Sequence, residues 1–310
     1  MRSQATSHIL MIRPVRFGFN EETADTNAFQ DQEHAAQTRD VAQTDALREF
    51  DEMVRQLRAA GVDVIVVEDT PEPYTPDSIF PNNWVSFHNN GTVILYPMQA
   101  ENRRLERRRD ILDQLEERFY INRLVDLSAF EKEGIFLEGT GSMVLDRKFK
   151  VAYACLSPRT SEEALDAFAL QMNYEIVKFN AVDASGKAIY HTNVLMCIGD
   201  LFAVVCLAAI PDPDERLMVR STLEMSGRQI IEITLDQMTH FAGNMLEVKT
   251  KRGGKLIVMS TQAYESLTPR QLDALDDYAT ILHFDLPMIE GNGGGSARCM
   301  MAEVHLPEKQ

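Results

Sequence analysis

Cysteine is scarce in this chain. Four residues, Cys155, Cys197, Cys206 and Cys299, stand among 310 and are scattered without metal-ligand spacing. No disulfide framework or structural zinc site follows from that pattern, and the four read as free thiols. Long apolar runs are lacking too. The longest, Leu201 to Ile210, is about the length of a strand and excludes a membrane-spanning helix. The opening residues MRSQATSHILMIRP hold no apolar stretch long enough for a signal peptide, so the expected compartment is the cytoplasm. Basic charge is short: 31 Lys and Arg against 47 Asp and Glu leave a net charge of −16. A nucleic acid or an anionic membrane needs a basic footprint, so neither is expected as a partner.

What remains is the mix of an ordinary soluble enzyme, 45% hydrophobic and 25% charged. A chain of this length buries roughly three quarters of its unfolded surface and needs no metal or disulfide staple.

Apolar spacing near 3.6 predicts helices over 41–60, 101–119, 161–172, 213–226 and 268–280. Gly61 and Gly227 stand where helices stop, and Thr268-Pro269 places a capping hydroxyl before an N1 proline. Strand-like runs fill the intervals: 8–12, 62–67, 84–87, 92–96, 134–138, 142–146, 150–154, 174–179, 194–198, 202–207, 229–233, 244–248, 255–259, 281–285 and 300–304. The helices recur every 52 to 60 residues with about three strands each, which is the mark of a repeat architecture. The expected fold is therefore α/β, a closed ring of five ββαβ units forming one domain over residues 1–310. An open doubly wound sheet fits the alternation but not the paired strands between helices.

Four stretches carry candidate chemistry. In GNGGGSARCMMAEVHLP (291–307), Gly291 and Gly293 to Gly295 form a turn that lets backbone approach a ligand closely and leaves N–H groups free. Cys299 follows at the mouth of a strand. It reads either as a nucleophile or as a small buried hydrophobe; a phosphate loop is excluded by the missing GK[ST] and following helix. His191, in Tyr190-His191-Thr192-Asn193, interrupts two apolar runs and reads as an acid–base group or a structural histidine. Glu138 ends an apolar strand before Gly139-Thr140-Gly141, placed for orientation of a base or merely solvated. Asp77-Ser78-Ile79-Phe80-Pro81-Asn82-Asn83-Trp84 holds the only tryptophan, and its asparagines are also ordinary turn formers. Taken together, a cysteine, a histidine and a carboxylate are the set that covalent catalysis requires.

These stretches resemble, in order, the motifs of the pentein superfamily of guanidino-group-modifying enzymes: arginine deiminases, dimethylarginine dimethylaminohydrolases and amidinotransferases. Leu137-Glu138-Gly139-Thr140-Gly141 is similar to LEGGD, His191-Thr192-Asn193 to His-x-Asp, and Gly293 to Met300 to GGGxRCM. MIRPVRFGFNEETA (11–24), PNNW and YPMQAENRRLERR (96–108) place the resemblance nearest the arginine-deiminase-related or citrulline-utilisation hydrolases. The resemblance spans Arg13 to Cys299 and implies a five-bladed α/β propeller. It also implies a Cys299 nucleophile with His191 and Glu138, no metal or organic cofactor, and a small amino-acid-like substrate. Asp77, Asn82, Asn83 and Asn193 are then expected at the reacting end. Arg13, Arg103 or Arg298 is expected at the substrate carboxylate, with Phe17 to Phe29, including Asn20 and Asn27, as a lid. A homodimer is compatible with such a chain. His191 is expected as an imidazolium that activates Cys299.

The chain departs from the family in one respect. The arginine deiminases clamp the guanidinium with two aspartates, and the matching positions here are Asn83 and Asn193. A guanidinium has only donors, whereas an amide offers both a donor and an acceptor, as a ureido group does. The expected substrate therefore ends in a ureido group, as citrulline does, in preference to a guanidinium. Two rivals are an amidinotransferase, which passes the same intermediate to an amine, and a non-catalytic binding scaffold of the same fold.

Overall fold

The computed structural model describes residues 3–309. Among the described residues, fifteen strands form five separate three-stranded sheets of one pattern. In the first, β1 (His8–Arg13) pairs parallel with β2 (Asp63–Glu68) and antiparallel with the chain's last strand, β15 (Ala302–Glu303). The others run consecutively. They are β3 (Val85–Phe87), β4 (Thr92–Leu95) and β5 (Arg123–Asp126); then β6 (Val144–Asp146), β7 (Val151–Cys155) and β8 (Glu175–Phe179). The last two are β9 (Met196–Ile198), β10 (Phe202–Val205) and β11 (Gln229–Glu232), and β12 (Leu246–Lys249), β13 (Lys255–Ser260) and β14 (Thr280–Phe284). Each unit is an antiparallel pair followed by a helical crossover to a parallel third strand. The ring is closed by β15, which completes the first unit with the end of the chain. This is the expected five-unit α/β propeller.

Burial grades outward through every unit. The first strands, β3, β6, β9 and β15, are buried throughout, and β12 nearly so; the third strands bury only part of their length. Contacts run directly between first strands of neighbouring units, β15 with β3, β6 with β9 and β9 with β12, so these line the centre. The crossover helices lie outside and cover the sheets with one apolar face. In Ala42–Ala59 the buried positions are Ala42, Ala46, Glu49, Phe50, Met53, Val54 and Leu57, which recur at three- and four-residue steps along one face, and Gly61 stops the helix at φ +94°. Asp212 caps Pro213–Met225 through the N–H groups of Asp214 and Glu215, and Thr268 with Gln271 forms a capping box on Pro269–Asp276.

Two expectations are corrected. The helix over 101–119 is two pieces, Glu101–Arg104 and Arg109–Arg118. At the end of the first and in the link between them the arginines fan out to different partners: Arg103 to Glu106, Arg104 to the Met98 carbonyl, Arg107 to Glu131 and Arg108 to Asp110. One continuous helix face cannot serve all four. The stretch 134–138 is not a strand either. A 3-10 helix, Ser128–Glu133, precedes it, Gly134 turns the chain at φ +70°, and only Leu137 makes an isolated bridge, to Thr160. The strand that fills this place is β5, which shows only Val125 to the interior.

Candidate active site

The segments entering the five central strands converge at one end of the ring. Asn82 and Asn83 lie in the 3-10 turn Pro81–Asn83 before β3, and Glu138 begins the turn Gly139–Ser142 before β6. His191 begins the turn Thr192–Leu195, which carries Asn193 into β9. Asn244 precedes β12 and Cys299 precedes β15. Residues more than 200 positions apart meet because each unit delivers its chain to the axis in the same way.

One narrow pocket, with an interior volume of about 10 Å³, is lined by Cys299, His191, Asp77 and Asn83. Arg103, Arg159, Tyr190 and Gly293 to Gly295 complete much of its wall. His191 Nε2 lies 2.8 Å from Glu138 Oε2, and both residues are buried. Burial pushes the Glu138 carboxyl up, but Arg159, the His191 bond and Arg103 hold it well below the usual carboxylate range. Glu138 is therefore ionised and accepts the Nε2 proton, which leaves Nδ1 as the basic nitrogen of a neutral ring. Burial lowers the His191 pKa to about 4 despite Glu138, with Arg159 and Arg103 adding to the shift. Burial thus works against the expected resting imidazolium and favours a neutral ring.

The imidazole needs Gly141. A Cβ there would lie 2.4 Å from Asn83 Nδ2 and 2.8 Å from His191 Nδ1 and Cε1. The glycine-rich segment is equally constrained. Gly291 and Gly293 fall in a π-helical turn, Ile289–Gly293, and Gly294 ends it at φ +64°. Its carbonyls are taken by neighbours: Gly291 by the Asp31 N–H, Gly293 by Asn27 Nδ2 and Gly294 by the Tyr190 hydroxyl.

Cys299 is 5% exposed, and its Sγ accepts from Asn193 Nδ2 at 3.4 Å and Asn244 Nδ2 at 3.3 Å. Asp77 Oδ2 accepts from Asn20 Nδ2 at 2.7 Å, while Asp77 Oδ1 is buried without a partner. Asn83 Oδ1 accepts from Arg103 Nη1 at 2.9 Å, so Nδ2 is its outward donor, and that atom too is buried and unpartnered. Arg103 also forms a bidentate pair with Glu106, 2.8 and 3.0 Å, and lies 3.7 Å from Asp77. Arg159 reaches Glu138 at 3.5 Å and the Thr23 carbonyl at 3.0 Å.

Four residues expected at the substrate, Arg13, Arg298, Asn82 and Asn193, are not among those that line the pocket, and Asn193 meets it only through its bond to the Cys299 sulfur. Arg13 lies at the surface, bonded to Asp51 and Glu68, because β1 ends there on the outer side. Arg298 is turned away from Cys299 toward Glu303 and the Met301 carbonyl, as adjacent residues in a tight turn diverge. Asn82 is buried behind Asn83, and its carbonyl packs 2.4 Å from where a Gly139 Cβ would sit. The sequence reading missed Arg159, Tyr190 and Asn244. Asn244 had a signal: Gly243-Asn244-Met245-Leu246 enters its strand as Thr192-Asn193-Val194-Leu195 and Arg298-Cys299-Met300-Met301 enter theirs. The segment over 17–29 lies against the pocket, with Asn20 on Asp77 and Asn27 on Gly293.

No curated protein sequence matches the chain significantly. Among solved structures, the N-terminal domain of ArgZ bound to product, an arginine dihydrolase from the ornithine-ammonia cycle in cyanobacteria, superposes with TM-score 0.70. The two are 17% identical over 97% of this chain and 98% of that one. AgrE, a cysteine-to-alanine variant in complex with L-arginine, gives 0.75 at 16% identity over 98% of this chain and 41% of AgrE. A dimethylarginine dimethylaminohydrolase adduct with S-methyl-L-thiocitrulline gives 0.64 at 16% identity, covering 98% of this chain and all of that one. The chain spans about two fifths of full-length ArgZ and AgrE. Those likenesses agree with the five-unit ring, and the match that extends over residues 13–306 settles the family: the chain belongs to the one described as N,N dimethylarginine dimethylhydrolase, eukaryotic.

Proposed function

We propose that the protein is a cysteine-dependent hydrolase that breaks a C–N bond at the ureido or guanidino carbon of a small amino acid, with the ureido end preferred. The observation that carries the preference is a pair of orphans in the pocket wall, the acceptor Asp77 Oδ1 and the donor Asn83 Nδ2. A ureido group satisfies both, its N–H on the carboxylate and its C=O on the amide. A guanidinium has no acceptor and would leave the Asn83 donor unpaired, at a cost of about 1–3 kcal/mol. The two buried guanidinium groups of Arg103 and Arg159 also line the pocket and suit the substrate's α-carboxylate.

In this reading the neutral His191 takes the Cys299 thiol proton, and Glu138 stabilises the imidazolium so formed. Sulfur attacks the central carbon, one C–N bond breaks, and His191 returns the proton to the departing nitrogen. Water then attacks the S-carbamoyl intermediate while His191 accepts its proton. The C–S bond breaks and the thiol is restored. For a ureido substrate the sum is one water consumed, with an amine and carbamic acid formed; the latter falls apart to ammonia and carbon dioxide. The narrow pocket requires the segment over 17–29 to move for entry.

The test is turnover of L-citrulline and of L-arginine, each assayed for ornithine and ammonia with and without glycine as acceptor. The expected result is ornithine from citrulline, unchanged by glycine. Arginine turnover with no reaction of citrulline would refute the ureido preference, and a glycine-dependent product would show amidino transfer.

A further inference from the structure

We propose that Asn244 is a second amide donor to the reacting sulfur, forming with Asn193 a two-sided cradle that stabilises Cys299 as the thiolate and again as it is expelled from the intermediate. The inference rests on the reading of Cys299 as nucleophile and adds a residue which that reading does not contain. Asn244 is 1% exposed and belongs to no sheet. Its orientation is fixed by its neighbours. Oδ1 accepts the Arg298 N–H at 3.1 Å, and Nδ2 faces two acceptors, the Asn193 carbonyl at 3.0 Å and Cys299 Sγ at 3.3 Å. A flipped amide would set oxygen against oxygen and oppose two donors at Arg298, so the group that meets the sulfur is an N–H.

The loop around Asn244 is shaped to hold it there. Phe241 adopts φ +61°, unusual for a residue with a side chain, and its carbonyl accepts the Asn244 N–H at 2.8 Å. Gly243 presses on the Asn193 side of the site so closely that a Cβ would lie 2.3 Å from the Val194 carbonyl. Sulfur thus receives N–H groups from the entry segments of two different units. Both are neutral dipoles aimed at the atom where negative charge gathers, in a largely buried site, which is where such donors act most strongly. They add two fixed donors to the imidazolium that His191 becomes on taking the thiol proton.

The test uses the full-length protein and reads carboxamidomethylation of Cys299 by iodoacetamide at fixed pH, located by peptide mapping, beside steady-state kinetics. Asn244→Asp keeps the acceptor for the Arg298 N–H and replaces only the atom facing sulfur. It is expected to slow Cys299 alkylation roughly tenfold or more, and to lower kcat about 100-fold with KM changed little. Asn244→Ala is expected to give the same pattern, and Asn244→Ser, which restores a hydroxyl donor, to recover part of the rate. Should the Asn244 variants not fold, Asn193→Ala, which leaves the Asn244–Arg298 bond in place, carries the same expected loss of alkylation. Alkylation within twofold of the parent in a folded Asn244→Asp, Asn244→Ala or Asn193→Ala protein would overturn the proposal. If Cys299 in the parent protein is not labelled in preference to Cys155, Cys197 and Cys206, it is the nucleophile reading that fails, and this inference with it.

Discussion

His191 Nε2 and Glu138 Oε2 stand 2.8 Å apart with neither residue reaching solvent, although one enters β9 and the other β6. In the proposed reaction the ionised carboxylate fixes the imidazole tautomer and stabilises the proton that the ring takes from Cys299. Glu138→Gln preserves the shape and removes the charge. It is expected to lower kcat by 10² to 10⁴, about 3–5 kcal/mol of barrier, with a smaller effect on KM. Steady-state assays beside a thermal melt check this. A kcat within threefold of the parent in a folded variant contradicts the assigned role.

Gly141 admits His191 and Asn83 to the same wall of the pocket. Gly141→Ala places a methyl where two side chains already stand, so both must retreat. Because a misplacement of about 1 Å at the reacting groups costs on the order of 100-fold, kcat/KM is expected to fall by at least that much. The fold should suffer far less, since the strand β6 beyond it is unaffected. Activity retained within tenfold would show that the imidazole does not need this approach.

The substrate preference is placed in the Asn83 amide, whose Nδ2 is buried and unpartnered in a residue that lines the pocket with Asp77. Asn83→Asp gives the pocket a second carboxylate in place of a group that donates. Turnover of a guanidino substrate is expected to rise relative to the ureido one by roughly tenfold, since charge-assisted bonds to a cation are about twice as strong as neutral ones. Paired kcat/KM measurements on arginine and citrulline decide the matter. An unchanged ratio would place the selection elsewhere.

Glu290 sits in the π-helical turn that leads to Cys299 and accepts from the Ser296 hydroxyl at 2.6 Å. Burial raises its pKa to about 7, helped by Glu49 and Asp285 and opposed by Ser260 and Ser296. The folded protein therefore holds this proton more tightly than the unfolded chain, whose carboxyl titrates near 4.5. The contribution is fully present below that value and is lost as pH rises through 7. The loss is on the order of 3 kcal/mol. Glu290→Gln, which keeps the neutral shape, is expected to be more stable than the parent at pH 8 and to match it near pH 4.5. Thermal melts at the two pH values test the sign, and an advantage that appears only in acid would contradict it.

Periodicity was legible in the sequence because the crossover helices each bury one face, and because the middle strands of the units, such as β4, β7 and β10, are mostly apolar along their length. What escaped was structure without an apolar pattern. Strand β5 points only Val125 inward, and the run of arginines over 103–109 looks like a solvated helix face until Arg103 is seen buried with Glu106. At the site, Cys299 and Glu138 stood out because each joins an apolar run to a glycine-bearing turn, and His191 because it interrupts two apolar runs. Arg159 carries no such punctuation, and Asn244, although it follows Gly243 and opens an apolar run, takes its place beside the sulfur from the ring, which brings unrelated turns together. Arg298 shows the converse. Adjacency to Cys299 in sequence drew attention to it, and the turn sends its side chain the other way, to Glu303.

The central claim is a covalent bond between Cys299 and the substrate carbon, and acid quenching during turnover, followed by mass spectrometry, tests it most directly. With citrulline the predicted result is a mass increase confined to the Cys299 peptide, absent in Cys299→Ser and more abundant when hydrolysis is slowed. A protein that turns over substrate with no adduct on Cys299, or whose Cys299→Ser variant remains as active as the parent, would contradict it.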